Sequence, residues 1–149
     1  MIDRSHIGYA TQPTTVKAEP WRVKLFCQAI GETDSVYWDA DAARVRGLPG
    51  CPLPPTFLKS LESEHCGSAE LLGVLGVPVR RVLHAEQSFE YLLPVYAGDE
   101  VEVSRKVVDI YDKRNGAMTF VVVETVYCVG GECVGRSVQN LLVRAESSA

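Results

Sequence analysis

The chain has 149 residues, 46% hydrophobic and 23% charged, with a formal net charge of −4. That length suits one domain over residues 1–149, burying about two thirds of its unfolded surface. Acids and bases are interspersed, so no basic cluster grips a phosphate backbone and nucleic acid is not an expected partner. No apolar run approaches the roughly 18 residues of a membrane span. MIDRSHIGYA lacks the apolar stretch of a secretory signal, so a cytoplasmic location is expected. There Cys27, Cys51, Cys66, Cys128 and Cys133, odd in number and without a C-x-x-C pair, read as reduced thiols. Neither a metal nor a cofactor is expected from their spacing.

In chain order, TTVKA over residues 14–18 reads as a short strand. Pro20 suits the first turn of a helix, where its missing N–H costs nothing. In WRVKLFCQAIG, Trp21, Leu25 and Ala29 recur every four residues, as do Phe26 and Ile30, which predicts an apolar face ending at Gly31. DADAARVRG reads as a second short helix, capped by Asp39 or Asp41 and stopped by Gly47. The prolines and glycines of residues 47–55 exclude regular structure. Thr56 then opens TFLKSLESEHCG, with Phe57, Leu58 and Leu61 on a buried face, and AELLGVLGVPV follows as a short packed helix or loop. His6 and His65 lie in polar surroundings and read as surface residues.

From residue 83 the period becomes two, with Phe89, Tyr91 and Leu93 on one face. Two further strand-like runs are separated by Asn115-Gly116, a strong hairpin signal, and Gly130-Gly131 marks a second tight turn. Cys128 and Cys133 flank that turn and read as cross-strand neighbours rather than a disulfide. An apolar helix beside four or five antiparallel strands is an α+β domain, the helix covering one sheet face.

FCQAIGETDSVYWD, residues 26–39, resembles the active-site loop of the MaoC-like (R)-specific enoyl hydratase and dehydratase family. The family pattern is roughly [YF]-A-x-x-[ST]-G-D-x-N-P-[IL]-H-x-D. Phe26, Gly31, Val36 and Asp39 fall in step with it, but Glu32 stands at the catalytic Asp position and Tyr37 at the His position. Asp34 and Ser35 replace Asn and Pro. LPPTF at 53–57, LHAEQSFEY at 83–91, YAGDEVEV at 96–103 and MTFVVVET at 118–125 resemble the N-terminal-type, catalytically silent half of the same family. The likeness spans nearly the whole chain. It implies a hotdog fold, a long antiparallel sheet wrapped around a central helix. It also implies binding of an acyl thioester of coenzyme A or acyl carrier protein, and a homodimer or a heterodimer with a catalytic MaoC-like subunit.

Hydration of an enoyl thioester needs a positioned base and a donor to the developing enolate oxygen. Glu32 carries its carboxylate one methylene further out, and a shift of about 1 Å can cost roughly a hundredfold in rate. Tyr37, a phenol with an ordinary pKa of about 10, is a poor base at neutral pH. The expectation is therefore a degraded pair at Glu32 and Tyr37 in a non-catalytic subunit of a (3R)-hydroxyacyl-thioester dehydratase or enoyl-thioester hydratase. The plain alternative for Glu32 and Asp34 is a polar turn facing water. Substrate contacts are expected from Pro55, Thr56 and Phe57, if Thr56 caps the central helix and its amides face the thioester carbonyl, and from His84. Thr56 as a cap alone and His84 as a structural residue are the competing readings. Trp21, Phe57, Phe89 and Tyr91 line an acyl tunnel or form plain core. A stand-alone homodimeric (R)-specific enoyl hydratase using Glu32 and Tyr37 or His84, and a hotdog acyl thioesterase, are the other functions weighed.

Overall fold

The structure, a computed structural model, describes residues 2–65, 68–115 and 117–145. Cys66, Gly116 and the side chain of His65, all singled out above, lie outside the described residues. The main elements are β1 (Thr14–Lys17), α1 (Pro20–Ile30), α2 (Ala40–Val45), α3 (Phe57–His65), α4 (Ser68–Val74), β2 (Val82–Tyr91), β3 (Glu100–Lys113), β4 (Met118–Val129) and β5 (Glu132–Arg144). The strands form one antiparallel sheet in the order β1-β3-β4-β5-β2. No helix among the described residues is long and apolar enough to cross a membrane.

The β4–β5 turn is two residues, Gly130 at φ 58° and Gly131 at φ 83°, between the paired Val129 and Glu132. Two successive positive φ values suit the right-handed twist of a hairpin, and glycine reaches them without a steric cost. Cys128 and Cys133 are register partners across this turn, and both are free thiols.

The sheet's inner face carries Phe57, Leu58 and Leu61 of α3, packed with Val16, Val101, Val103, Tyr127 and Val134. A second apolar cluster joins Leu71, Leu72 and Leu75 to Val107, Ile110, Val121, Val123, Leu141 and Val143. This is the hotdog arrangement, α+β, with α3 as the central helix. β3 serves both clusters, Val101 and Val103 the first and Val107 and Ile110 the second, and a bulge between Val107 and Asp109 passes its inward parity from Val107 to Ile110.

α1 turns a different face inward from the one its periodicity suggests. Val23 and Cys27 are fully buried, whereas Trp21, Leu25 and Ile30 are 65%, 57% and 55% exposed. Ala29 is exposed as well. Two apolar stripes lie side by side on this helix, and the compact Val23 and Cys27 allow close approach to the sheet. Phe26, between the stripes, meets Phe57 edge-to-face at 5.2 Å. Trp21 and Tyr91 are therefore surface residues, while Phe57 is core and Phe89 is half-buried, stacked on Tyr91. The first residues are tied to β3 by backbone hydrogen bonds and to the core by Ile2. Gly8 N–H bonds the Val107 carbonyl at 2.8 Å, Thr11 N–H bonds the Arg105 carbonyl at 2.9 Å, and Ile2 enters the second cluster.

Candidate functional site

The loop after α1 begins at Gly31, whose left-handed φ of 74° closes the helix while Glu32 N–H reaches the Cys27 carbonyl at 2.9 Å. Glu32 is half-buried and folds back on its own loop. Its Oε1 accepts from the amides of Thr33 at 2.8 Å and Asp34 at 2.9 Å. Asp34 caps the turn at Ser35–Tyr37 by accepting from Val36 N–H at 3.1 Å. The two terminal guanidinium nitrogens of Arg46 also donate to Asp34, at 2.7 and 2.9 Å. The Val36 amide first, and Arg46 second, hold the Asp34 carboxyl below its ordinary range. Asp39 caps α2 by accepting from Asp41 N–H at 2.9 Å and Ala42 N–H at 3.4 Å. Tyr37 is partly buried against the first core cluster. The loop's acids thus bond amides and a neighbouring arginine rather than standing free.

Pro55 and Thr56 are exposed in the turn before α3, and Phe57 N–H already bonds the Pro54 carbonyl at 2.9 Å. Leu53 N–H bonds the Val95 carbonyl, and Ala97 N–H bonds the Cys51 carbonyl, each at 2.8 Å. These bonds hold the proline-rich turn against residues 95–97. A largely apolar cleft of about 310 Å³ lies between the turn and residues 91–95, lined by Pro54, Pro55, Leu58, Tyr91, Leu92 and Leu93 among others. It sits at the N-terminus of α3, where helix amides favour a partial negative charge. Gly135 of β5, the register partner of Tyr91, allows close approach to β2, because a Cβ there would stand 3.0 Å from the Glu90 carbonyl.

The expected site residues are not brought to one place. Pro55 lines the cleft, Thr56 lies in the adjoining turn, and Phe57 points into the core. Glu32 and Tyr37 belong to the loop. His84, exposed on β2, lines a different cavity with Arg105 and Gln139. Among the described residues no group of three or more His, Cys, Asp or Glu side chains is placed to hold a metal.

A buried polar network was not foreseen. Arg105 of β3, Thr125 of β4 and Ser137 of β5 are register neighbours pointing inward, and all are buried. Glu62 of α3 meets this row. Its Oε2 accepts from the Tyr127 hydroxyl at 2.9 Å, and its Oε1 lies 3.4 Å from Arg105 Nε and 2.5 Å from Lys59 Nζ. Lys59 and Arg105 both donate to Gln139 Oε1, at 3.2 and 3.4 Å. Burial, and then the charge of Glu62, pushes the Tyr127 hydroxyl far above its ordinary range, so it is a neutral donor. The inward parity of Arg105, Ser137 and Gln139 in otherwise apolar alternations was the available signal.

A family model described as the FAS1-like dehydratase domain region matches residues 5–136. The chain belongs to that family. A Streptomyces griseus relative named UPF0336 protein is 33% identical, the alignment covering 99% of each chain. The C-terminally truncated HadBC (3R-hydroxyacyl-ACP dehydratase) complex from Mycobacterium tuberculosis superposes with a TM-score of 0.80 at 20% identity, over 92% of this chain and 96% of that one. The ChsH1–ChsH2 complex from the same organism gives 0.76 at 20% identity, over 94% and 91%. Both likenesses are of the fold described above.

Proposed function

We propose that this chain is an acyl-thioester-binding, non-catalytic subunit of a (3R)-hydroxyacyl-thioester dehydratase or enoyl-thioester hydratase. One observation carries the reading: at the loop's acid position, Glu32 turns back on its own loop and its Oε1 accepts from two amides there. Hydration requires a carboxylate and an imidazole to share a water, one taking its proton as the oxygen attacks the β-carbon. Here the first group is engaged and the second is a phenol. The apolar cleft at the start of α3 supports thioester binding, because helix amides suit a carbonyl oxygen and aliphatic walls suit an acyl chain.

The missing acid–base pair would come from a MaoC-like partner subunit, carrying the thioester of coenzyme A or acyl carrier protein. The fold's likeness to two complexes supports pairing. So does β2, a ten-residue strand whose only sheet neighbour among the described strands is β5. An open edge of that length is a surface that a second sheet covers. The reading takes residues 1–149 as one domain working in the cytoplasm.

The test is a hydration assay on crotonyl and longer enoyl thioesters, alongside direct binding. Wild type alone should bind them and turn over far below about 10 per second, an ordinary enzyme rate. Glu32→Asp with Tyr37→His should raise the rate, and neither single change should do so, since a pair acting as a unit is non-additive. Turnover at ordinary rates by wild type, or light scattering at the mass of one chain together with no thioester binding, would overturn it.

A further inference from the structure

Cys128 and Cys133 face each other at the end of the β4–β5 hairpin, with Val129, the two turn glycines and Glu132 between them. Register partners on an antiparallel ladder stand about 4.5 or 5.5 Å apart at Cα and point to the same face. A disulfide spans about 4.4 to 6.8 Å at Cα, so either spacing admits one. The two thiols are already in hydrogen-bond contact, and Cys133 Sγ also donates to the Gly135 carbonyl at 3.7 Å. The ladder pairs Tyr127 with Gly135 but Cys128 with Cys133, so Val134 is the extra residue of a bulge. That bulge and the two-glycine turn leave the strand ends room to draw together. Both cysteines are half-buried, within reach of a small oxidant.

The surroundings of the two sulfurs differ in charge. Cys128 is the register partner of Glu102 on β3. Burial first, then Cys133 and Glu102, pushes its thiol up and keeps it protonated. Cys133 has the guanidinium of Arg136 in hydrogen-bond contact with its sulfur, and Glu90 and Glu124 lie near the same cation. The thiolate is the nucleophile of sulfur chemistry, favoured beside a cation and disfavoured by burial in apolar surroundings. Cys133 is therefore the sulfur placed to react first, and Cys128 the one placed to resolve.

We propose that Cys128 and Cys133 form a reversible dithiol–disulfide site, closed by a hydroperoxide and reopened by a thiol. The Cys133 sulfur attacks a peroxide oxygen, the O–O bond breaks, and the departing oxygen leaves with the Cys133 proton. Cys128 then attacks the sulfenic acid so formed, making the S–S bond, and the hydroxyl leaves with the Cys128 proton as water. Two electrons pass from the sulfurs to the peroxide. Two molecules of a thiol such as glutathione return them by exchange and become a disulfide themselves. The site adjoins the cleft at the start of α3. The Val134 carbonyl, beside Cys133, accepts from the amides of Leu92 at 3.0 Å and Leu93 at 3.1 Å, and both leucines line that cleft. A cross-link at the hairpin end holds this carbonyl in place, so closing the site steadies the cleft's wall.

The test is mass spectrometry of the full chain after hydrogen peroxide and thiol blocking. No Lys or Arg stands between Arg114 and Arg136, so trypsin leaves both cysteines on one peptide, residues 115–136. In wild type that peptide should lose two hydrogens, take up no blocking label, and accept both labels again after glutathione. In Cys128→Ser it should instead carry a sulfenic acid on Cys133, trapped by dimedone. Hydrogen exchange at the Leu92 and Leu93 amides should be slower in the disulfide form, because the hairpin end no longer opens locally. A wild-type peptide that keeps both labels, gains oxygen without losing two hydrogens, or becomes linked to a second chain overturns the site. So does a disulfide that glutathione does not reopen. Absence of the dimedone adduct overturns the order of attack, and unchanged or faster exchange at Leu92 and Leu93 overturns the coupling to the cleft. Should Cys128→Ser not fold, the wild-type peptide alone decides whether the site exists.

Discussion

The sharpest test of the buried network is a double-mutant cycle on Glu62 and Arg105. Replacing Glu62 by leucine removes the carboxylate on which Lys59 and Arg105 both converge, and it takes a partner from the Tyr127 hydroxyl. Breaking a buried pair from one side costs about 3 to 5 kcal/mol, because the other charge stays desolvated. Glu62→Leu should fall in that range. Arg105→Met should cost less, about 1 to 3 kcal/mol. Glu62 then keeps Lys59 at 2.5 Å and Tyr127 at 2.9 Å, and Lys59, 25% exposed, still reaches solvent. Removing both takes the buried acid and the buried guanidinium away together, while Lys59 retains Gln139 and its partial exposure to solvent. The double variant should therefore be destabilised less than the sum of the singles by about 1 to 3 kcal/mol. Urea melts at one fixed protein concentration give the three values, with m compared to check that the unfolded states match. If the double change equals the sum of the singles within about 0.5 kcal/mol, the residues act independently. The network would then be a set of coincident contacts.

Two further outcomes follow from the same contacts. Phe57→Ala should lose about 3 to 5 kcal/mol in denaturant melts, because the ring is 1% exposed and packed against Phe26; a loss below about 1 kcal/mol would place α3 wrongly. Asp34 titrates below its ordinary value of 3.8, so the stability it contributes is present above that value and is lost as pH falls through the lower folded one. Asp34→Asn should accordingly flatten the acid limb of a stability–pH curve below about pH 4, and an unchanged limb would remove the Val36 and Arg46 contacts from the account.

Local chemistry determined much of this protein without tertiary information. Gly130-Gly131 dictates a tight hairpin because only a residue without Cβ takes two positive φ values freely. Pro20 and Gly31 bound α1, and Asp39 caps α2, for reasons that reach no further than one helical turn. The period-two runs of β3, β4 and β5 follow from one face meeting the core. The family likeness of the chain was legible as well.

Tertiary structure decided what depended on neighbours distant in the chain. α1 carries two apolar stripes, and its docking over Phe57 and the sheet selected Val23 and Cys27, leaving Trp21 and Leu25 in solvent. The direction of Glu32 was a further choice, since a carboxylate beside a turn either reaches outward or satisfies the amides behind it. The polar row illustrates the same limit most fully. Arg105, Ser137 and Gln139 each look like one irregular position in an apolar alternation, unremarkable singly. Strand register sets Arg105 and Ser137 on either side of Thr125, and α3 lays Glu62 and Lys59 over them. Burying these charges is tolerable only because their partners arrive from other strands and a helix, and that pairing is a property of the packed sheet rather than of any one segment.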